Sequence, residues 1–270
     1  MTQTIFITGA SSGMGKDTAK LFHSKGWNVV ATMRSPEKET ELTELENVLV
    51  LRLDVTDHDS IDAARDVAVA AYGKIDVLLN NAGYGAFGPL ETFPMAGIEK
   101  QFATNVLGLI ATTKAFIPHM RANASGTIVN VSSMGGRVTL PLASLYHGTK
   151  YAVEGFTESL RYELEAFGVR VKLVEPGNVN TDFSSRSLEF VMDQSIQEYL
   201  PIAGGMTKLF EKMGPDASEV SAASEAIWSA ATDGSDTLRY VVGEDARKIL
   251  SKRNSQDDDA FHATMKTMMT

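Results

Sequence analysis

The sequence contains no cysteine, and this absence removes several kinds of chemistry. A disulfide framework, a thiolate nucleophile and a cysteine-ligated zinc or iron–sulfur centre are all excluded. Prolines number only 8 and hydrophobic residues make up 43%, a composition that excludes a disordered or collagen-like chain. Any catalysis must therefore use oxygen or nitrogen side chains on a folded scaffold, and we expect it to need no metal.

Long hydrophobic runs and an excess of positive charge are also missing. No window reaches the roughly 18 to 20 apolar residues that a membrane span requires. The segment from Met1 to Gly9 lacks the successive basic and apolar regions of a signal peptide. The net charge of -9 repels nucleic acid and anionic membranes. We therefore predict a cytoplasmic protein that binds neither nucleic acid nor membrane.

Short apolar, β-branched runs alternate with longer amphipathic stretches along the chain. Parallel strands need long crossover connections and are buried on both faces, which fits this alternation. The sequence predicts an α/β, doubly wound Rossmann fold, with a seven-stranded parallel sheet and helices on both faces. The predicted strands are Thr4–Thr8, Val29–Met33, Val48–Leu53, Val77–Asn80, Thr127–Val131, Val169–Val174 and Tyr240–Val242. The predicted helices are Gly15–Lys25, Pro36–Leu45, Asp57–Tyr72, Met95–Ala103, Val106–Arg121, Ser144–Phe167 and Ala217–Thr232.

The chain shows no linker or internal repeat, so we predict one domain over residues 1–270. Two segments fall outside the regular alternation. Residues 182–214 are rich in large apolar side chains, Phe183 among them; part of the segment must pack on the domain, and the rest can form a substrate lid with Gly204-Gly205 as its hinge. Residues 244–270 are predicted to form a C-terminal extension at the surface.

The first predicted strand runs into a glycine-rich turn and then into a helix. Glycine permits positive φ and lets the backbone approach a pyrophosphate at the helix amino terminus. The Gly-x3-Gly-x-Gly spacing also suits a simple tight turn, but its place between the first strand and a helix favours a phosphate cradle. Lys16 lacks the Gly-Lys-Ser/Thr context of a P-loop, which excludes a nucleoside triphosphatase. The predicted cofactor contacts of this turn are Gly9, Ser11, Ser12, Gly13, Met14 and Gly15.

The ends of the second and third strands carry further cofactor candidates. Arg34 stands where an acidic residue would bind the ribose hydroxyls of NAD, and a guanidinium there fits the 2′-phosphate of NADP. Asp54 follows the third strand, where it would meet the adenine amino group or merely cap a turn, and Val55 can pack on the ring. We therefore expect NADP(H) rather than NAD(H).

Three polar side chains are predicted to meet in the same crevice. Tyr146 and Lys150 lie four residues apart on a predicted helix and so share one face. Ser133 follows the strand Thr127–Val131, at the same sheet edge as the glycine turn. A free tyrosine titrates near ~10 and an ammonium stabilises its phenolate, so we expect Lys150 to lower the pKa of Tyr146. His147 points away from the tyrosine, and we expect no catalytic role for it.

Joined to Asn105, to Asn80-Asn81-Ala82-Gly83 and to Pro176-Gly177-x-x-x-Thr181, these residues resemble the short-chain dehydrogenase/reductase family in its single-domain form. The resemblance spans roughly residues 4 to 181. It implies that Tyr146 is the acid/base, Ser133 orients the carbonyl, Lys150 binds the ribose and activates the tyrosine, and Asn105 holds a relay water. The crevice residues it implies are Asn80, Asn81, Ala82, Gly83, Tyr146, Lys150, Pro176, Gly177, Val179 and Thr181.

The resemblance implies an NADP(H)-dependent oxidoreductase that transfers a hydride between nicotinamide and the carbonyl or secondary alcohol of an apolar substrate. The pattern Ala31-Thr32-x-Arg34 is similar to the 17β-hydroxysteroid-dehydrogenase-like branch. The main alternative is an NADP-binding sensor or scaffold without turnover, which would not need Tyr146, Lys150, Ser133 and Asn105 together. An epimerase of the longer, nucleotide-sugar-using branch is disfavoured because 270 residues leave little room for its substrate domain.

The same resemblance implies partners and a substrate wall. Family members commonly pair through the helices Val106–Arg121 and Ser144–Phe167, so we expect a homodimer or homotetramer. A small apolar carbonyl or alcohol is the expected substrate. The further wall candidates beyond the lid segment are Tyr84, Ala86, Phe87, Val138 and Leu140.

Overall fold

The computed structural model describes residues 2–181 and 186–268, and its centre is a parallel β-sheet. The strands of this sheet are β1 (Thr4–Thr8), β2 (Asn28–Met33), β3 (Val48–Arg52), β4 (Val77–Asn80), β6 (Gly126–Val131), β7 (Val169–Pro176) and β11 (Arg239–Val242). The sheet order is β11-β7-β6-β4-β1-β2-β3, with every neighbouring pair parallel. This arrangement confirms the predicted seven-stranded sheet, and the predicted strand ends are at most two residues from the observed ones.

Helices cover both faces of the sheet because successive strand residues point to opposite sides. The helices are α1 (Gly13–Ser24), α2 (His58–Tyr72), α3 (Met95–Phe102), α4 (Gly108–Ala122), α5 (Ser144–Glu165), α6 (Leu200–Met213), α7 (Val220–Thr232), α8 (Glu244–Ser255) and α9 (Asp258–Met268). In β1, Ile5 and Ile7 face a core closed by α1 and α7, and Phe6 faces a second core closed by α2, α4 and α5. All three side chains are fully buried.

The helix predicted over Pro36–Leu45 is wrong. The structure places two short 3₁₀ turns there, Pro36–Lys38 and Leu42–Glu44. The Glu39 carboxylate accepts the backbone N–H of Glu41 at 2.9 Å and that of Leu42 at 3.0 Å. These bonds satisfy the backbone locally and compete with the helical pattern.

Two of the short strands attach the lid segment to the body of the fold. The strand β5 (Gly85–Phe87) pairs in parallel with β9 (Leu188–Phe190). The second short pair joins β8 (Val179–Asn180) to β10 (Ser218–Glu219). Gly204 and Gly205 lie inside α6 rather than at a break between elements, and a hinge at these residues stays a prediction. Residues 182–185, including Phe183, lie outside the described residues.

The C-terminal extension is part of the core rather than a surface addition. Leu250 of α8 and Phe261 of α9 are buried with Leu209 of the lid helix α6. The same cluster contains Met134 and Val138, which follow Ser133 in the chain. The lid, the C-terminal helices and the segment after Ser133 therefore share one apolar core. Within residues 2–181 and 186–268, each helix is too short or too polar to cross a membrane.

We expect Phe261→Ala to destabilise the protein by about 3 kcal/mol, because it leaves a cavity in this shared core. Phe210→Ala is the control: its side chain is 38% exposed, against 7% for Phe261, and we expect a smaller loss of about 1 to 2 kcal/mol. Urea denaturation of both variants measures the free energy of unfolding. Equal, small losses would show that α9 does not pack as described.

Candidate active site

The glycine-rich turn after β1 is held so closely that side chains are excluded from it. Gly9 and Gly13 have positive φ of 71° and 52°. A Cβ on Gly9 would lie 2.9 Å from the Cα of Ala82, and a Cβ on Gly15 would lie 2.5 Å from Nδ2 of Asn81. The backbone is therefore pressed against the end of β4, as a phosphate cradle requires.

The amino terminus of α1 is suited to bind an anion. The helix begins at Gly13, its first turn carries no acidic residue, and the side chain of Ser12 does not cap it. Its first N–H groups and its dipole can therefore act on a phosphate. Thr181 faces this end of the helix, since a Cβ on Gly13 would lie 3.6 Å from the Thr181 Cβ. The free helix terminus fits the pyrophosphate of a dinucleotide, with Thr181 at its side.

The side chains of the other cofactor candidates near the cradle differ in their exposure to solvent. Ser11 is exposed beside the half-buried Ser12. Met14 and Val179 pack against the core under the cradle, so their side chains support it from the protein side.

Asn81 supports the cradle from behind. Its Nδ2 donates to the carbonyl oxygens of Thr8 at 3.0 Å and Gly9 at 2.9 Å, and its backbone N–H donates to Oγ1 of Thr8 at 3.0 Å. The N–H of Ala82 donates to the same hydroxyl at 3.1 Å. The structure thus gives Asn81 a role in shaping the turn, and a direct cofactor contact stays a prediction.

Asn80, the residue before it, braces the central strands. Its Nδ2 donates to Oγ1 of Thr113 and to Oδ1 of Asn130, both at 2.9 Å. This network joins β4, β6 and α4 in the interior. Gly83 follows in the same segment, and a Cβ there would lie 3.2 Å from Oδ1 of Asn105.

The ends of β2 and β3 lie beside the cradle. The N–H of Ala10 donates to the carbonyl oxygen of Thr32 at 2.9 Å, and the exposed Arg34 follows directly after β2. Oδ1 of Asp54 accepts the N–H of Thr56 at 3.0 Å and its hydroxyl at 2.8 Å, so this carboxylate does cap a turn. Val55 is buried, and a Cβ on Gly108 would clash with it. Adenine contacts by Asp54 and Val55 stay predictions.

The structure brings Ser133, Tyr146 and Lys150 together, as the sequence predicts. Tyr146 and Lys150 lie on the buried side of α5, and Ser133 follows β6. The Tyr146 hydroxyl is hydrogen-bonded with the Ser133 hydroxyl. Lys150 Nζ lies 5.7 Å from the centroid of the Tyr146 ring and donates to the carbonyl oxygen of Val131 at 2.9 Å. One hydroxyl pair and one ammonium therefore face the same crevice.

Burial dominates the protonation of this group. It raises the pKa of Tyr146 above its ordinary value of 10.0, and the hydrogen bond with Ser133 opposes this shift. The net direction is thus opposite to the predicted lowering, Lys150 is not among the causes of this shift, and its effect on Tyr146 stays a prediction. Burial also lowers the pKa of Lys150 from 10.5 to about 8, against the opposing charge of Glu154.

Asn105 lies in a π-helical turn, Ala103–Leu107, between α3 and α4. Its Nδ2 donates to the carbonyl oxygen of Tyr84 at 2.8 Å and to Oγ1 of Thr149 at 3.1 Å, and its Oδ1 accepts the N–H of Tyr84 at 3.0 Å. Such turns are rare and occur often at functional sites. Both amide donors are engaged in fixing the crevice wall, and the relay water stays a prediction.

The loop after β7 is held by the C-terminal part of the chain. The N–H of Gly177 donates to the carbonyl oxygen of Val242 at 2.9 Å, and the N–H of Asn178 donates to Oδ2 of Asp245 at 2.6 Å. Ser133 Oγ donates to the carbonyl oxygen of Pro176 at 3.3 Å. Sequence reasoning missed Asp245, since an acidic residue in the first turn of a helix indicates only a favourable dipole contact.

His147 has a structural role, as the sequence indicates. Its Nδ1 donates to the carbonyl oxygen of Gly135 at 2.8 Å, and its Nε2 accepts the N–H of Leu140 at 2.9 Å. Both bonds require the neutral ring, and burial lowers its pKa accordingly. The imidazole thereby fixes the loop after Ser133.

Apolar side chains from the lid lie over Tyr146. The ring centroid of Phe87 is 5.4 Å from that of Tyr146. Leu188 of β9 and Met206 of α6 belong to the same apolar cluster. Of the other wall candidates, Tyr84 and Ala86 pack with Phe93 and Leu145, and Val138 and Leu140 pack with the C-terminal helices.

A doubly wound sheet with a glycine cradle and a Ser-Tyr-Lys group at its carboxyl edge defines a nicotinamide-dependent oxidoreductase. The model of the short chain dehydrogenase family matches residues 3–190, and the chain belongs to that family. It is 41% identical over 240 residues to an uncharacterized oxidoreductase of Schizosaccharomyces pombe, covering 88% of this chain and 99% of the relative. A 3-ketodihydrosphingosine reductase of Bacteroides thetaiotaomicron is 37% identical over 211 residues, covering 78% and 76%.

Solved structures agree with the fold. A short-chain dehydrogenase from Streptomyces avermitilis superposes with a TM-score of 0.85 at 31% identity, covering 99% of this chain and 96% of the other. A short chain dehydrogenase from Burkholderia cenocepacia, solved with NADP, superposes with a TM-score of 0.77 at 25% identity, covering 98% and 97%. These similarities do not single out the 17β-hydroxysteroid-dehydrogenase-like branch.

We expect Gly15→Ala to weaken dinucleotide binding by at least about ten-fold, because the new methyl group needs space that Asn81 occupies. Gly155→Ala is the matched control: it lies in α5 with nothing within 4 Å of its Cβ. We expect this control to bind normally and to gain about 0.5 to 1 kcal/mol of stability. Calorimetric titration with NADPH measures the affinity, and unchanged binding by Gly15→Ala would contradict the cradle.

Proposed function

We propose that the protein transfers a hydride between NADP(H) and the carbonyl or secondary alcohol of an apolar substrate. One observation carries this proposal: the hydrogen-bonded Ser133 and Tyr146 hydroxyls lie with the Lys150 ammonium in the crevice that the glycine cradle opens. An acid, a hydrogen-bond donor and a fixed cation are what reduction of a carbonyl requires. A protein that only binds the dinucleotide needs no such group.

Each residue of the site has a distinct role. Gly9 to Gly15 and Thr181 hold the pyrophosphate, and Pro176 and Gly177 flank the nicotinamide. The bound dinucleotide supplies the hydride. Tyr146 gives its proton to the carbonyl oxygen as the alkoxide develops, and Ser133 donates a hydrogen bond to the same oxygen.

Lys150 acts on the ribose and on the tyrosine. Its fixed ammonium favours the phenolate that Tyr146 becomes, so the cation offsets the cost of burial when the proton leaves. Asn105 holds the water that returns a proton to the tyrosine. In the oxidative direction Tyr146 takes the proton from the alcohol, and every step runs in reverse.

An apolar ketone or alcohol suits the apolar surroundings of Tyr146. Phe87, Leu188 and Met206 provide apolar walls, and two of them come from the lid segment. The name of the Bacteroides relative specifies a ketone substrate, which supports carbonyl reduction by this chain.

Arg34 supports the choice of NADP(H). It is exposed at the end of β2, next to the cradle, where its guanidinium can bind the 2′-phosphate. The neighbouring structure solved with NADP shows that this fold accepts the cofactor.

We further propose a homodimer or homotetramer that pairs through α4 and α5. Leu107, just before α4, is 59% exposed. Tyr151 of α5 is 44% exposed, and Phe167, just after α5, is 41% exposed. A second copy of the chain would bury this apolar surface.

We expect Tyr146→Phe to lower turnover by about 10²- to 10⁴-fold while NADPH still binds, since only the proton donor is lost. Tyr151→Phe is the control, because that tyrosine lies on the same helix with its side chain partly in solvent. Absorbance of NADPH, followed with a panel of apolar ketones, aldehydes, quinones and keto esters, gives the rates. Near-normal turnover by Tyr146→Phe would refute the mechanism. Tight NADPH binding by the native protein without turnover of any panel member would favour a sensor.

We expect Arg34→Asp to shift the ratio of NADPH to NADH affinity towards NADH by at least about ten-fold, through loss of a charge-assisted bond and gain of repulsion. Arg52→Asp serves as the control, since Arg52 ends the next strand and is paired with Asp57 at 3.2 Å. Fluorescence titration with both nucleotides gives the ratio. A native preference for NADH, or an unchanged ratio in Arg34→Asp, would contradict the assignment.

A further inference from the structure

Two carboxylates are buried directly behind the catalytic group. Glu154 lies on α5 one turn beyond Lys150, and Glu175 is the next-to-last residue of β7. Their side chains are 7% and 0% exposed. Carboxylates are almost never buried so fully unless they are paired, because removing a charge from water is costly.

Two arginines connect these carboxylates to other elements. Nε of Arg239, on β11, lies 3.1 Å from Oε2 of Glu154 and 3.0 Å from Oε1 of Glu175. Nη1 of Arg137, beyond the turn after Ser133, lies 3.3 Å from Oε2 of Glu175. One guanidinium therefore bridges both carboxylates, which places the two negative charges close together.

The exposed side of this network reaches two further groups. Nη2 of Arg239 lies 2.8 Å from Oε2 of Glu158, one turn further along α5. Nη2 of Arg137 donates to Oδ1 of Asn254 on α8 at 3.0 Å. Glu158 differs from Glu154 in that its side chain is 52% exposed.

The turn after Ser133 packs directly on the stretch of α5 between Lys150 and Glu154. A Cβ on Gly136 would lie 2.8 Å from Cγ of Glu154, 3.1 Å from the carbonyl oxygen of Lys150 and 2.7 Å from Oγ of Ser132. Lys150 and Glu154 are both buried, so the interaction between their charges is weakly screened. Glu154 and Lys150, at positions i+4 and i, lie on the same face of the helix.

We propose that Glu154 is a positioning residue of the reaction, whose carboxylate keeps the buried Lys150 in its ammonium form, and that Arg239 holds this carboxylate in place. The inference rests on the proposed function, in which that ammonium acts on Tyr146. It extends the catalytic group to a residue that touches neither substrate nor cofactor.

The electrostatics of the cluster agree with this geometry. Burial is the main cause that lowers the pKa of Lys150 to about 8, and the negative charge of Glu154 opposes it. Burial first, then the charge of Glu154, raises the pKa of Glu175 to about 7, with Arg137 and Arg239 opposing. Burial likewise raises the pKa of Glu154, and the hydrogen bond with Ser132 and the charge of Arg239 oppose this shift. The negative charge of Glu154, on the same helix face as Lys150, therefore depends on these partners.

The test follows the titration of Lys150 itself. Lysine labelled with ¹³C at Cε reports each ammonium by NMR, and Lys150→Met assigns the signal. In the cofactor-free protein we expect Glu154→Gln to lower the midpoint of Lys150 by about one pH unit. Glu158→Gln is the matched control, since it removes a carboxylate bound to the same Arg239 from the same helix, and we expect no shift.

Glu175→Gln separates a charge effect from general damage to the network. It removes the carboxylate that competes with Glu154 for ionisation, so we expect the Lys150 midpoint to stay or to rise. Glu154→Asp keeps the charge and should keep the midpoint. An unchanged midpoint in Glu154→Gln, or equal lowering in Glu154→Gln and Glu175→Gln, would overturn the proposal. If Glu154→Gln does not fold, lowering by either of the other two variants would overturn it.

Activity gives an independent second readout. We expect the alkaline limb of the pH profile of kcat/KM to move down in Glu154→Gln by the same interval as the Lys150 midpoint, and to stay in place in Glu158→Gln. A titration that shifts without any substrate being turned over would refute the proposed function but not the role of Glu154. If substrate is turned over but the alkaline limb of the pH profile does not move in Glu154→Gln, the role of Glu154 is refuted and the proposed function is not.

Discussion

Parallel pairing is the constraint on which the rest of the structure depends. Because all seven strands of the central sheet run the same way, their carboxyl ends meet at one edge. The cradle follows β1, Ser133 follows β6, and Pro176 ends β7. Residues far apart in the chain are thus collected along one crevice. Their identity sets the chemistry, and the sheet sets only their place.

Burying polar groups at the sheet edge costs free energy, and the structure offsets this cost by pairing the groups with one another or with the backbone. The amide of Asn80 bridges two strands and a helix, and the amide of Asn105 bridges a π turn and α5. Lys150 Nζ finds a carbonyl oxygen, and Glu175 finds two arginines. An isolated member of such a set would be strongly destabilising. The polar groups of the site are consequently interdependent, and they also rigidify the crevice.

Much of this was predictable from the sequence, and the failures have physical causes. Strands such as Val77–Asn80 were predictable because both of their faces are apolar. Ser133, Tyr146 and Lys150 were predictable because a spacing of four residues puts two side chains on one helix face, and a residue that follows a parallel strand lies at the carboxyl edge of the sheet. The helix predicted over Pro36–Leu45 does not form because the Glu39 carboxylate accepts backbone N–H groups. Asp245 and Glu175 were missed because the residues that they contact lie 67 and 38 positions away along the chain. The direction of the pKa shift of Tyr146 was not predicted because the burial of its side chain cannot be read from residue spacing.

The apolar core that joins Leu209, Met134 and Phe261 makes α6 and the C-terminal helices one packing unit. The matched family region ends at residue 190, so α6, α8 and α9 lie outside it. A substitution that reshapes the buried side of α6 changes the surface that Leu250 and Phe261 contact. Sequence changes in α6 and in the C-terminal helices are therefore coupled through this core.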